Sequence, residues 1–131
     1  MKYTIAIALC IMILTGCVRY HSERIRDGKT SITIKESDHQ YRMDAKFSRS
    51  KTAQVARMID EALDDNGSLD THDLNGNITL DDDTKLYIRL RSGRLKIRFN
   101  KDANSETAYD RIKELGDKIK ITIHSNQVQL Q

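Results

Sequence analysis

Apolar and polar residues alternate in two separate blocks of this chain. In the first, Ile32 and Ile34, then Tyr41, Met43, Ala45 and Phe47, fall on one side of two strands, with Ser37-Asp38 as the turn between them. That turn would set Ile34 opposite Tyr41 and Ile32 opposite Met43. The period then lengthens: Val55, Ile59, Ala62 and Leu63 recur at helical spacing, behind Ser48 or Ser50 as candidate N-cap and ahead of Asn66-Gly67 as the stop. After a polar loop, the stretch NITL at 77–80 predicts a short strand.

The alternation restarts at Lys85. Leu86 faces Phe99, Ile88 faces Ile97 and Leu90 faces Leu95 in one register, with Ser92-Gly93 as a two-residue turn in which glycine supplies the positive φ. Ala108, Ile112 and Leu115 predict a second helix capped by Gly116, and the alternating KIKITIH at 118–124 predicts a last strand. Strand, strand, helix, strand therefore occurs twice, with Thr52-Ala53 echoed by Thr107-Ala108. A duplicated ββαβ unit would give that order, and so would chance. Two amphipathic helices cover one face of an antiparallel sheet most economically. The expected fold class is thus α+β: a two-layer sandwich, with an antiparallel sheet of about six strands and two helices on one face.

Length and composition allow one such domain. The chain has 131 residues, 38% hydrophobic and 31% charged, and no proline. It opens with Lys2 and an apolar run over 3–14 that is well short of the roughly 20 residues a membrane-spanning helix needs, so a cleaved export signal is the reading. The run ends in Leu14-Thr15-Gly16-Cys17, which resembles the lipobox of bacterial lipoproteins. The resemblance covers the signal segment alone. It implies cleavage between Gly16 and Cys17, a diacylglycerol thioether on Cys17, and an acyl chain such as palmitate on the new amino terminus. Several acyl chains, at about 0.8 kcal/mol per buried CH₂, hold a protein stably on a membrane. By the same likeness, Val18 in the place where aspartate would retain the protein at the inner membrane favours the outer membrane, facing the periplasm, if the cell is diderm. The expected division is a signal peptide over 1–16, a lipidated cysteine and tether over 17–29, and one domain over 30–131. Residues 18–29 are polar and aperiodic, long enough to reach about 40 Å when extended.

This use of the cysteines constrains the chemistry. Cys10 leaves with the signal and Cys17 carries lipid, so no thiol remains for a disulfide, a metal or a nucleophile, and no cofactor is expected beyond the covalent lipid.

Charge is segregated despite a net value of only +3. The side chains expected to point away from the helices are Lys35, Arg42, Lys46, Lys85, Tyr87, Arg89, Arg91, Arg94, Lys96 and Arg98, with Lys118 and Lys120 on the last strand and Asp44 as the one acid. Arg89 would lie opposite Lys96 and Arg91 opposite Arg94, and like charges opposed on a sheet are destabilising. Three readings fit. The cations serve solubility and deter edge pairing; or the loop of Asp81, Asp82 and Asp83 folds over them; or the face docks something anionic. For the third, the binding candidates are Tyr87, Arg89, Arg91, Arg94, Lys96 and Arg98, and the partners are an anionic lipid, a glycan or an acidic protein. Nucleic acid is not expected outside the cytoplasm on a chain so poor in aromatics.

Other sites carry less. DTHDLNGNITLDDD only partly matches a calcium loop, leaving Asp70, Asp73, Asn75, Asn77 and Asp81 as weak ligand candidates. The histidines lack metal spacing, and no nucleophile elbow, HExxH or phosphate loop occurs. The expectation is a small envelope lipoprotein, not an enzyme, that acts as a binding or structural module. The alternatives are an assembly subunit of an envelope complex and, further back, a calcium-stabilised domain.

Overall fold

The computed structural model describes residues 20–63 and 74–128. Strands β1 (His21–Asp27), β2 (Thr30–Glu36) and β3 (Gln40–Lys46) are followed by a single 3₁₀ turn (Arg49–Lys51) and helix α1 (Thr52–Leu63). Then come β4 (Asn75–Thr79), β5 (Lys85–Arg91), β6 (Arg94–Asn100) and helix α2 (Glu106–Val128). All pairings are antiparallel, in the sheet order β1-β2-β3-β6-β5-β4. The fold is α+β, a six-stranded antiparallel sheet with two helices, consistent with a two-layer sandwich.

The repeated unit is βββα and not the expected ββαβ. One constant shift in numbering carries Ile32 onto Leu86, Ile34 onto Ile88 and Met43 onto Ile97, with the same hairpin register in each half. It also carries Thr30 onto Thr84, the two buried polar residues among those described. The crossing contacts follow: the Phe47 N–H donates to the Gly93 carbonyl, and the Lys101 N–H to the His39 carbonyl. The halves meet where β3 pairs with β6, so Met43 opposite Ile97 marks a local two-fold axis at the centre of the core.

Three elements differ from the sequence reading. Residues 18–29, expected as a tether, contain β1, which pairs along its full length with β2. Its pattern was obscured because an edge strand buries little: only Ile25 of β1 packs on the core, while Glu23 on the same side accepts a 3.2 Å hydrogen bond from Lys120. The stretch expected as a last strand is instead the continuation of α2. KIKITIH alternates, but Ile119 and Ile123 also continue the helical series Ala108, Ile112, Leu115, and they are buried while Ile121 is 62% exposed. Gly116 is therefore no cap. It lies mid-helix, where a Cβ would collide with the Tyr41 hydroxyl and stand 3.1 Å from its ring carbon Cζ. Finally, β2 and β3 pair with Ile34 opposite Met43 and Ile32 opposite Ala45, two residues from the expected register. A slip of two keeps every side chain on its face, so the pattern alone could not detect it.

A side-chain hydrogen bond marks the start of α2 and another the end of α1. Ser105 accepts from the Ala108 N–H at 3.1 Å, capping α2, and Arg111 donates to the last-turn carbonyl of Ala62 at 2.7 Å, closing α1. Neither Ser48 nor Ser50 caps α1; their hydroxyls bond each other at 3.0 Å. Asn66-Gly67 lies outside the described residues.

One polar cluster ties α2 to the sheet. Glu36 accepts from the Tyr109 hydroxyl and, at 2.9 Å, from Lys101, whose ammonium sits 4.1 Å from the centre of the Tyr109 ring. Lys113 approaches the same carboxylate at 3.9 Å. Since the Lys101 and Glu36 side chains are only 20% and 15% exposed, removing the acid leaves a poorly solvated cation. Glu36→Ala is expected to cost about 1–3 kcal/mol in urea unfolding, against less than half of that for Asp102→Ala at the exposed His39 pair.

Candidate functional site: the open basic face

With both helices on one side, alternate residues of each strand are left facing water, even-numbered on β1, β3 and β6 and odd-numbered on β2, β4 and β5, and register decides which of them are neighbours. Running across the sheet from β1, one row holds Ser22, Lys35, Arg42, Arg98, Tyr87 and Asn77. The next holds Arg24, Thr33, Asp44, Lys96, Arg89 and Asn75, and a third holds Arg26, Ser31, Lys46, Arg94 and Arg91. Lys85 lies at the end of β5 between Thr79 and Asn100 in register. The six expected binding residues are thus brought together: Tyr87, Arg89 and Arg91 on β5, and Arg94, Lys96 and Arg98 on β6.

Two expected members are absent and two unexpected ones are present. Lys118 and Lys120 belong to α2, where Lys118 pairs with Glu114 at 3.1 Å and Lys120 with Glu23 at 3.2 Å. Arg24 and Arg26 join the face through β1. The signal for them was present as alternation in Glu23-Arg24-Ile25-Arg26, whose lone apolar member is the one that faces the core.

The electrostatics are one-sided. Asp44 is the single acid among the described strand residues of this face, and it is engaged by Arg98 through both guanidinium ends, at 3.3 and 3.4 Å. Among the described residues, no carboxylate pairs with Arg89, Arg91, Arg94 or Lys96. The expectation that the loop of Asp81, Asp82 and Asp83 folds over the hairpin finds no support at Asp82, which turns to the helical side. There it accepts from the Thr84 N–H at 3.1 Å and pairs with Arg111 of α2 at 3.2 Å. Hydrogen bonds from Thr84, then the Arg111 charge, hold the Asp82 carboxyl below its ordinary range.

Two shallow depressions mark the face. One, of about 580 Å³, has Tyr87 with Arg42, Arg98, Lys85 and Asn77 around it. The other, of about 510 Å³, is lined by Lys46, Arg89, Arg91, Arg94 and Lys96, with Asp44 at its side. Planar guanidinium groups carried on neighbouring strands, whose backbones lie about 4.8 Å apart, suit the oxygens of phosphates or carboxylates better than a single point charge does.

Three of the weak calcium candidates lie among the described residues. Asn75 and Asn77 face water on β4, across from Arg89 and Tyr87, while Asp81 sits in the turn beyond that strand. Asp70 and Asp73 lie outside the described residues. Among the described residues no group of three or more His, Cys, Asp or Glu side chains could hold a metal. No described helix is long and apolar enough to cross a membrane. Cys17 and the lipobox fall outside the described residues.

No protein-family model matches the chain, and neither the curated proteins nor the solved structures offer a match.

Proposed function

We propose that this protein is a small lipid-anchored lipoprotein of the cell envelope whose domain docks an anionic envelope component on the open basic face, as a binding or structural module and not a catalyst. The anchor is Cys17, and the outer membrane facing the periplasm is its place if the cell is diderm. The observation that carries the reading is the alignment of Arg89 with Lys96 and of Arg91 with Arg94, cation facing cation, with no carboxylate ion-paired to them among the described residues; Asp44, across from Lys96, is engaged by Arg98. Such like-charged pairs weaken a sheet by tenths of a kcal/mol up to about one each. Mixed signs would give the same solubility without that cost, so a ligand that neutralises the pairs accounts for them better.

The test uses a Cys17→Ser mature chain, because a chain cut to the expected domain over 30–131 would lose β1 and uncover the flank of β2. Polyphosphate and polyglutamate serve as phosphate and carboxylate probes, alongside neutral and anionic vesicles, at low and physiological salt. Saturable binding that weakens as salt rises is expected for at least one anionic probe and for no neutral one. Absence of binding to every anionic probe at low salt overturns the reading.

A further inference from the structure

The strand that replaces the expected tether also fixes how far the domain can stand from its anchor. Between Cys17 and His21, where β1 begins, lie only Val18, Arg19 and Tyr20. Fully extended at about 3.3–3.6 Å per residue, that link spans no more than about 14 Å, compared with the roughly 40 Å expected of a dozen free residues. The span is under two screening lengths of about 8 Å at physiological ionic strength. The β1 edge of a charged face thus stays within about two screening lengths of the leaflet that holds the lipid, where a dozen free residues would let it stand about five away.

We infer that the ligand of the basic face is that same leaflet: the sheet lies flat on the anionic phospholipid headgroups next to its own anchor. This rests on the lipoprotein reading above and deepens it, by choosing a lipid surface in cis over a glycan or protein in trans. Charge complementarity selects which side turns down. The open face presents cations in every row, with Asp44 occupied by Arg98, whereas the outer side of α2 mixes Glu106, Asp110, Glu114 and Asp117 with its lysines. The point of attachment suits the same pose. His21 stands at the end of β1 beside the row of Lys35, Arg42 and Arg98, so cations begin within one or two strand spacings of about 4.8 Å from the anchor corner. Tyr20, 61% exposed and the last residue before β1, is the amphipathic side chain that favours the headgroup layer.

The lipidated chain can be labelled at a single introduced thiol, since Cys17 is blocked and Cys10 is removed with the signal. Three reporters suffice: Thr33→Cys near the anchored edge of the open face, Asn77→Cys at its far edge on β4, and Glu114→Cys on the outer side of α2. Each is reconstituted in vesicles carrying a headgroup quencher, either neutral or enriched in phosphatidylglycerol. The expected result is quenching at both Thr33 and Asn77, several-fold greater on anionic than on neutral vesicles and abolished by high salt, with Glu114 unresponsive. Quenching at Thr33 without Asn77 would mean that the domain stands on its β1 edge, and equal quenching at all three that it tumbles; either overturns the inference. If polyphosphate still binds the Cys17→Ser chain in that case, the basic face remains a binding surface for another anion and only the cis placement falls. If no anionic probe binds, both readings fall together.

Discussion

Changing Arg89, Arg91, Arg94 and Lys96 together to glutamine is expected to weaken binding of the Cys17→Ser chain to anionic vesicles about a thousandfold. The figure follows from about 1 kcal/mol per basic residue near an anionic surface, four times over, at about 1.4 kcal/mol per decade. The same substitutions should leave the melting temperature unchanged or raise it. Both cation-to-cation pairs across β5 and β6 are relieved, each by roughly 0.2–1 kcal/mol, and no ion pair to these four is lost among the described residues. Binding and stability therefore move in opposite directions. Vesicle co-sedimentation and thermal denaturation measure the two arms. A melting temperature several degrees lower would assign the long basic side chains to shielding the sheet, and a binding loss smaller than tenfold would move the contact to another row.

Gly116→Ala is the second large effect, this time on the fold. In an ordinary helix interior the change would stabilise by roughly 1 kcal/mol. Here the new methyl meets the Tyr41 hydroxyl, with the ring carbon Cζ at 3.1 Å and the Met43 sulfur at 3.6 Å, and Tyr41 is pinned at 1% exposure in the middle of the sheet. A net loss of about 1–3 kcal/mol is expected from overpacking. Tyr41→Phe should relieve much of it. The hydroxyl is buried and has no hydrogen-bond partner among the described residues, so its removal by itself is expected to be neutral or mildly stabilising. The double variant should then be clearly more stable than the sum of the singles, a coupling measurable by urea unfolding.

The same phenol predicts a pH effect of known sign. Burial, then the nearby charges of Asp117, Glu36 and Glu23, raise the Tyr41 pKa well above its ordinary value of 10.0. The unfolded chain loses this proton near pH 10 while the folded one keeps it. The stability it contributes is whole below pH 10 and falls by about 1.4 kcal/mol per pH unit above it, until the folded group also ionises. The difference in stability between wild type and Tyr41→Phe should grow accordingly between pH 10 and 11.

The alternating blocks made most of the sheet legible. Leu86, Ile88 and Leu90 against Phe99, Ile97 and Leu95 admit one register once Ser92-Gly93 is the turn, and the structure has that register. Gly93 holds φ at +74°, where a Cβ would press on the Phe47 carbonyl at 2.8 Å. The six candidate anion-binding residues follow from the same hairpin, since parity alone sends Tyr87, Arg89 and Arg91 to one face, with Arg94, Lys96 and Arg98 beside them. The β2–β3 register was not legible because a slip of two residues preserves parity, and the turn that decides it, with Ser37 N–H donating to the Gln40 carbonyl at 2.9 Å, has no glycine to signal it.

The sequence by itself determined the fold class, one of the two hairpin registers, the cores of both helices and the segregation of positive charge, because each is a matter of local period. Tertiary structure alone decided what residues 21–27 and 118–124 become. Both are short of apolar residues or ambiguous in period, so neighbours chose: β2 offered Ile25 and Glu23 a flank to pair with, and the sheet offered Ile119 and Ile123 a surface that only a helix crossing Tyr41 at a glycine could reach. That exchange of one strand for another kept the count at six, moved Arg24 and Arg26 onto the basic face, and removed Lys118 and Lys120 from it. Periodicity is read along the chain, whereas an edge strand and a close helix crossing are stabilised by what lies across from them.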